Sequence, residues 1–176
     1  MEKKVVIFCS ASTKINPKYD ATAREIVRAL HALGYTVVSG GGAVGLMGAV
    51  TGESALVGGR HIAVLPEFMR GLENPVVKEV IWTETMSERK QEMRKGTVAA
   101  IALPGGIGTI DELAETHTLR KLNKYPGALY AFNQDGFFDP YKAMMDHFVA
   151  EGTLEPKDRD LVKYPSTPEE LIAYFK

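Results

Sequence analysis

Cysteine is nearly absent: Cys9 is the only one in 176 residues, which excludes an internal disulfide framework and any zinc site built from thiolates. The sequence also lacks a run of 18 apolar residues, so no segment reads as a membrane-spanning helix. Long blocks of like charge are missing too. With 21 basic against 22 acidic residues the formal net charge is −1, and there is no electrostatic footprint for DNA, RNA or an anionic membrane. His31, His61, His117 and His147 share no ligand spacing, so core or surface roles are expected and no metal site. The start Met1-Glu2-Lys3-Lys4 runs straight into an apolar strand without the apolar region of a signal peptide, and the cytoplasm is the expected compartment. No repeat, low-complexity tract or linker divides the chain. Residues 1–176 are therefore expected to form one domain, long enough to bury a full core.

What is present is an alternation of two patterns. Val5-Val6-Ile7-Phe8-Cys9 is a short, continuously apolar run of the kind buried on both faces of a parallel sheet. Ala23, Ile26, Val27, Leu30 and Leu33 then recur at helical spacing, with Gly34 where a C-terminal cap belongs. Strands follow at 35–38, 61–65 and 79–82, and a helix at 46–57 ends at Gly58-Gly59. Thr85 and Glu88 have capping-box spacing and start a short helix carrying Arg89, Lys90, Met93 and Arg94. A strand at 98–103 precedes a helix at 109–123, and a strand at 128–132 precedes a helix that opens at Asp139-Pro140 and closes at Gly152. A short strand at 161–163 and a terminal helix from Thr167 complete the pattern. Strands separated by helices predict a doubly wound, Rossmann-like α/β fold with a parallel sheet of about six to seven strands. Ligands in such sheets bind at the carboxyl ends of the strands.

Three segments fall at that edge: Ser10 to Thr13, Gly40 to Gly48, and Leu103 to Glu112. In the last, an apolar run ends in glycines and opens into an acidic helical pattern. Backbone N–H groups and the positive end of the helix dipole then converge on one spot, where a phosphate binds without a cationic side chain. Gly40, Gly42 and Gly45 also satisfy G-x-G-x-x-G, but they follow the second strand, and Glu67, the acid at about the distance of a ribose contact, lies beyond Pro66. The plainer alternative is a tight turn with close helix–sheet packing.

Other residues have plainer alternatives as well. Thr109 and Glu112 have capping-box spacing, which would tie Glu112 to the Thr109 N–H. Arg89, Lys90, Arg94 and Lys95 read as a solvated face, and Asp111, Glu115 and Thr118 as a polar stripe facing water. Cys9 reads as a small buried strand residue, and Met144, Met145, Phe148 and Val149 as a packing face or part of a dimer surface.

Met86-Ser87-Glu88-Arg89-Lys90 and Pro104-Gly105-Gly106-Ile107-Gly108-Thr109-Ile110-Asp111-Glu112 resemble the M-x-x-R-K and P-G-G-x-G-T-x-x-E elements of the LOG proteins. Gly40-Gly41-Gly42-Ala43-Val44-Gly45-Leu46-Met47-Gly48 is similar to that family's G-G-G-x-x-G-L-M-G turn, and the order of elements matches from first strand to last helix. LOG proteins are cytokinin-activating phosphoribohydrolases, once widely mislabelled lysine decarboxylases. The resemblance implies hydrolysis of the N-glycosidic bond of a purine nucleoside 5′-monophosphate, releasing adenine or an N6-substituted adenine and ribose 5-phosphate. The family's catalytic pair carries over onto Arg89 and Glu112. Gly105, Gly106 and Gly108 with Thr109 would hold the phosphate, Lys90 would add charge, and Ser10, Gly42, Ile107, Asp111 and Thr118 would complete the contacts. The expected partner is thus a small-molecule nucleoside monophosphate, with no cofactor, metal, nucleic acid or membrane, and the resemblance further implies a homodimer.

The residue types suit the chemistry. Breaking an N-glycosidic bond builds positive charge on the anomeric carbon and negative charge on the departing base, so a carboxylate near the sugar and a cation near the base both act in the transition state. Two positions depart from the family pattern: Ser10-Ala11-Ser12-Thr13-Lys14 replaces a glycine followed by serines, and Leu119 stands where an aromatic is common. The competing readings are a non-catalytic nucleotide or cofactor carrier and an NAD-dependent oxidoreductase. The latter needs a ribose-binding acid at the end of the second strand, where Ser39-Gly40 stands instead. A decarboxylase would need an electron sink, and no residue pattern marks one.

Overall fold

A computed structural model describes residues 2–176. Its centre is β1 (Lys4–Phe8), whose residues from Val5 onward are buried on both faces, as the apolar run predicts. Beside it lie β2 (Thr36–Ser39), β3 (His61–Pro66) and β4 (Glu79–Thr83) on one flank, and β5 (Thr97–Ala102), β6 (Ala128–Ala131) and β7 (Val162–Lys163) on the other. The sheet order is β4-β3-β2-β1-β5-β6-β7 and every pairing is parallel, the doubly wound architecture expected from the alternation of patterns. After β4 the chain returns across the sheet to pair β5 with β1, so strand order reverses between these two. The strand carboxyl ends diverge there and leave a crevice for a ligand.

Helices cover both faces. Val5, Ile7 and Cys9 pack with α1 (Lys18–Ala32), α2 (Gly45–Leu56) and α7 (Pro168–Ala173), which contribute Ile26, Leu30, Val50 and Leu171. Val6 and Phe8 face the other core, filled by Met93 of α3 (Met86–Arg94), Leu113 of α4 (Ile107–Lys121), and Tyr141 and Met145 of α5 (Asp139–Ala150). Among the described residues no helix is long and apolar enough to cross a membrane.

Two local expectations need correcting. α4 begins at Ile107, two residues before Thr109, because Gly106 is already the N-terminal cap residue. The Thr109–Glu112 capping box is therefore not formed, and Glu112 lies on the second turn. A short helix that the sequence pattern did not show, α6 (Pro156–Arg159), precedes β7 and is pinned by a 2.6 Å hydrogen bond between His117 Nε2 and the Asp158 carbonyl.

Candidate active site

The crevice between β1 and β5 is a cleft of about 700 Å³. The loops after the two strands are tied together, since the Ser10 N–H donates to the Pro104 carbonyl at 3.2 Å. Ser10 Oγ in turn accepts from the Ser12 N–H at 3.0 Å, which fixes the turn where this chain has serine and alanine. On the β5 side the N-terminus of α4 opens onto the cleft through Gly106, Gly108 and Thr109, and no side chain caps it. Its first-turn N–H groups are thus available to an anion. Gly105 serves packing: a Cβ there would overlap the Thr109 hydroxyl.

α3 delivers the cation. Its start is fixed by the capping box read from Thr85 and Glu88, with the Glu88 N–H donating to Thr85 Oγ1 and the Thr85 N–H to Glu88 Oε2, both at 3.2 Å. Arg89 follows in the first turn. It is 7% exposed, its Nε–H donates to the Val64 carbonyl at 2.9 Å, and its Nη1 stands 3.6 Å from Glu112 Oε1. The solvated-face reading of this helix is overturned for Arg89 and Arg94, both buried. Each has an acceptor on a neighbouring element: the Val64 carbonyl for Arg89, and Glu115 for Arg94 at 3.0 Å.

Glu112, also 7% exposed, faces the cleft. Burial pushes its carboxyl up to about 7 from an ordinary value of 4.5; the Arg89 guanidinium opposes that rise and Asp111 adds to it. Burial also depresses the Arg89 guanidinium, against the opposing pull of Glu112. A carboxyl with a midpoint near neutrality, beside a cation in a cleft, has the properties of an acid–base group.

The cleft brings together Ser10, Gly42, Arg89, Gly106, Gly108, Thr109 and Glu112 from the expected set. Lys90, Asp111, Thr118, Gly105 and Ile107 lie outside its lining. Lys90 Nζ pairs with Asp111 Oδ2 at 3.0 Å and Glu115 Oε2 at 2.8 Å, which clamps α3 to α4. The Thr118 hydroxyl donates to its own helix at Ala114, and Ile107 is 86% exposed.

The glycine turn after β2 behaves as packing. Gly45 has φ +63°, and a Cβ there would stand 2.7 Å from the Ser12 carbonyl oxygen and 2.8 Å from that of Ser10. The Met47 N–H in the first turn of α2 donates to the Ser10 carbonyl at 3.0 Å. Met47, Leu65, Met69, Leu72 and Met86 form the remaining, apolar wall, a role that the sequence reading gave to none of them. Among the described residues no group of three or more histidine, cysteine or acidic side chains is arranged to hold a metal ion.

Comparison with known proteins agrees with the resemblance. A family described as "possible lysine decarboxylase" matches residues 47–175. The chain is 36% identical over 173 residues to a probable cytokinin riboside 5′-monophosphate phosphoribohydrolase of Oryza sativa subsp. japonica, covering 97% of this chain and 70% of that protein. It is 34% identical over 173 residues to a cytokinin riboside 5′-monophosphate phosphoribohydrolase of Arabidopsis thaliana, covering 97% and 80%. Among solved structures, the molybdenum cofactor carrier protein of Chlamydomonas reinhardtii superposes with a TM-score of 0.75 at 18% identity over 99% of this chain and 96% of that one. A molybdenum cofactor binding protein of Rippkaea orientalis gives 0.74 at 18%, over 99% and 95%. Those two likenesses establish a shared fold. The family match and the identities over almost the whole length go further: the chain belongs to the LOG family of phosphoribohydrolase enzymes.

Proposed function

We propose that this cleft hydrolyses the N-glycosidic bond of adenine-type nucleoside 5′-monophosphates to free base and ribose 5-phosphate. The observation that carries the reading is the buried pair Arg89 and Glu112, 3.6 Å apart, between an uncapped helix N-terminus and an apolar wall. In this reading the 5′-phosphate sits on the first-turn N–H groups of α4, which places the ribose beside Glu112 and the base toward Met47, Leu65 and Met86. The bond from C1′ to the base nitrogen breaks with its electron pair leaving on the base, while water adds to C1′. Ionised Glu112 stabilises the cationic sugar and takes the proton from that water. Arg89 stabilises the negative charge on the departing base, which takes a proton from solvent to leave neutral while Glu112 returns its own to solvent.

With one carboxylate acting on water, direct displacement is expected, and a ribosyl adduct trapped on Glu112 would contradict it. The apolar wall supports N6-isopentenyl-AMP over AMP by about tenfold in kcat/KM, the scale on which apolar pockets discriminate. The test is to incubate the protein with each nucleotide and assay free base and ribose 5-phosphate. Binding of both without cleavage would instead favour the carrier reading.

A further inference from the structure

Apart from Gly42, which lines the cleft, the glycine turn after β2 has no task in this reaction, yet it lies against the arginine that the reaction uses. A Cβ built on Gly40 would overlap Arg89 Nη2 and stand 2.9 Å from Met47 Sδ. Gly40 is not among the glycines with positive φ, so space rather than backbone conformation excludes a side chain there. The guanidinium is thus fixed on three sides: Nε–H on the Val64 carbonyl at 2.9 Å, Nη1 at 3.6 Å from Glu112 Oε1, and Nη2 over the bare Cα of Gly40.

We propose that Gly40 is a positioning residue, whose missing side chain is the seat of the Arg89 guanidinium, so that the β2 turn sets how far the arginine stands from Glu112. The separation fits this role. An unconstrained guanidinium–carboxylate pair closes to about 2.7–2.9 Å, whereas this one is held 3.6 Å apart, which leaves both groups able to turn to a ligand. The proposal rests on the reading of Arg89 and Glu112 as the reacting pair.

The test follows the Glu112 carboxyl by carbon-13 NMR titration in the intact chain. The charged and titratable groups around it are Arg89, Lys90 and Arg94 from α3, Asp111 on its own helix, and the Cys9 thiol at the end of β1. Gly40→Ala should move the Glu112 midpoint by about half a pH unit or more, in either sense, because the nearest cation changes place. Gly42→Ala, which meets only Met47, should leave it unmoved, and so should Gly40→Ala added to Arg89→Ala. In AMP hydrolysis, Gly40→Ala should lower kcat about tenfold or more with little change in KM, since orientation and not binding is lost.

An unmoved midpoint in Gly40→Ala, an equal shift in Gly42→Ala, or a shift that persists without Arg89 overturns the proposal. If Gly40→Ala alone does not fold, the double variant with Arg89→Ala should unfold cooperatively, and its failure to fold also overturns it. The titration needs no substrate, so a protein that cleaves no nucleotide refutes the reaction and still judges the seat.

Discussion

Glu112 is held in a place that disfavours its charge. In the folded chain its carboxyl titrates near 7, against an ordinary 4.5, so between those values the native state binds more protons than the unfolded chain. Stability therefore falls as pH rises from about 4.5 to about 7, by roughly 3 kcal/mol in total, and stays lower above. Glu112→Gln lacks that loss. Its Tm should exceed the wild-type value by a margin that widens by several degrees from pH 5 to pH 8, as differential scanning calorimetry would measure. The same titration sets the rate profile: if ionised Glu112 is the working form, kcat/KM rises with pH and levels off above about 7. A profile that falls across this range would assign the carboxyl the opposite role. Glu112→Gln should lower kcat about a thousandfold. The sequence made this residue type and position legible through its motif. The elevated midpoint was not legible, because it depends on how many layers of the fold exclude water from one side chain.

Helix α3 shows why a charged segment can be misread. Its polar composition suits a solvated face, yet Arg89 and Arg94 turn inward. The partners that permit this lie 25 positions away at Val64 and 21 positions away at Glu115, where no local periodicity reaches. The cap at its start, by contrast, was legible because Thr85 and Glu88 are three residues apart. That cap also aims the arginine, one residue beyond it. Thr85→Ala should lower stability by about 1 kcal/mol, a Tm drop of about 2–4 °C, and reduce kcat several-fold as Arg89 loses its alignment. Lys90 belongs to the same element and separates two roles. As a clamp paired with Asp111 and Glu115, its replacement by glutamine should cost less than about tenfold in kcat/KM, with Asp111→Asn giving a similar effect. A strong rise in KM confined to Lys90→Gln would mean a direct phosphate contact instead.

Over the whole molecule, strand count and direction were legible because continuous apolar runs and helical spacings alternate without interruption. The two-sided core followed from them, but the strand order did not, since the reversal between β1 and β5 is a relation among distant segments. The terminal helix α7 and the residues just after it are integral to that core: Leu171 and Ile172 of the helix and Phe175 beyond it are buried, and Tyr35 Oη donates to the Phe175 carbonyl at 3.2 Å. Each such side chain contributes roughly 1.5–3 kcal/mol against a typical net stability of about 5–15 kcal/mol. A chain stopped after Ser166 should therefore lose cooperative thermal unfolding. We also propose the homodimer that the family resemblance implies. Leu122 of the α4 end and Met144 and Phe148 of α5 remain exposed, and light scattering should give twice the chain mass.

The N-termini of α2 and α4, which both border the cleft, are not equivalent. Neither carries a side-chain cap, but in α2 the Met47 N–H already donates to the Ser10 carbonyl. On the proposed function the phosphate therefore takes the α4 terminus, since that of α2 offers one donor fewer. Counting anion seats in this way separates mononucleotides from pyrophosphate-bridged dinucleotides more directly than a glycine spacing does, and NAD should fail to displace AMP.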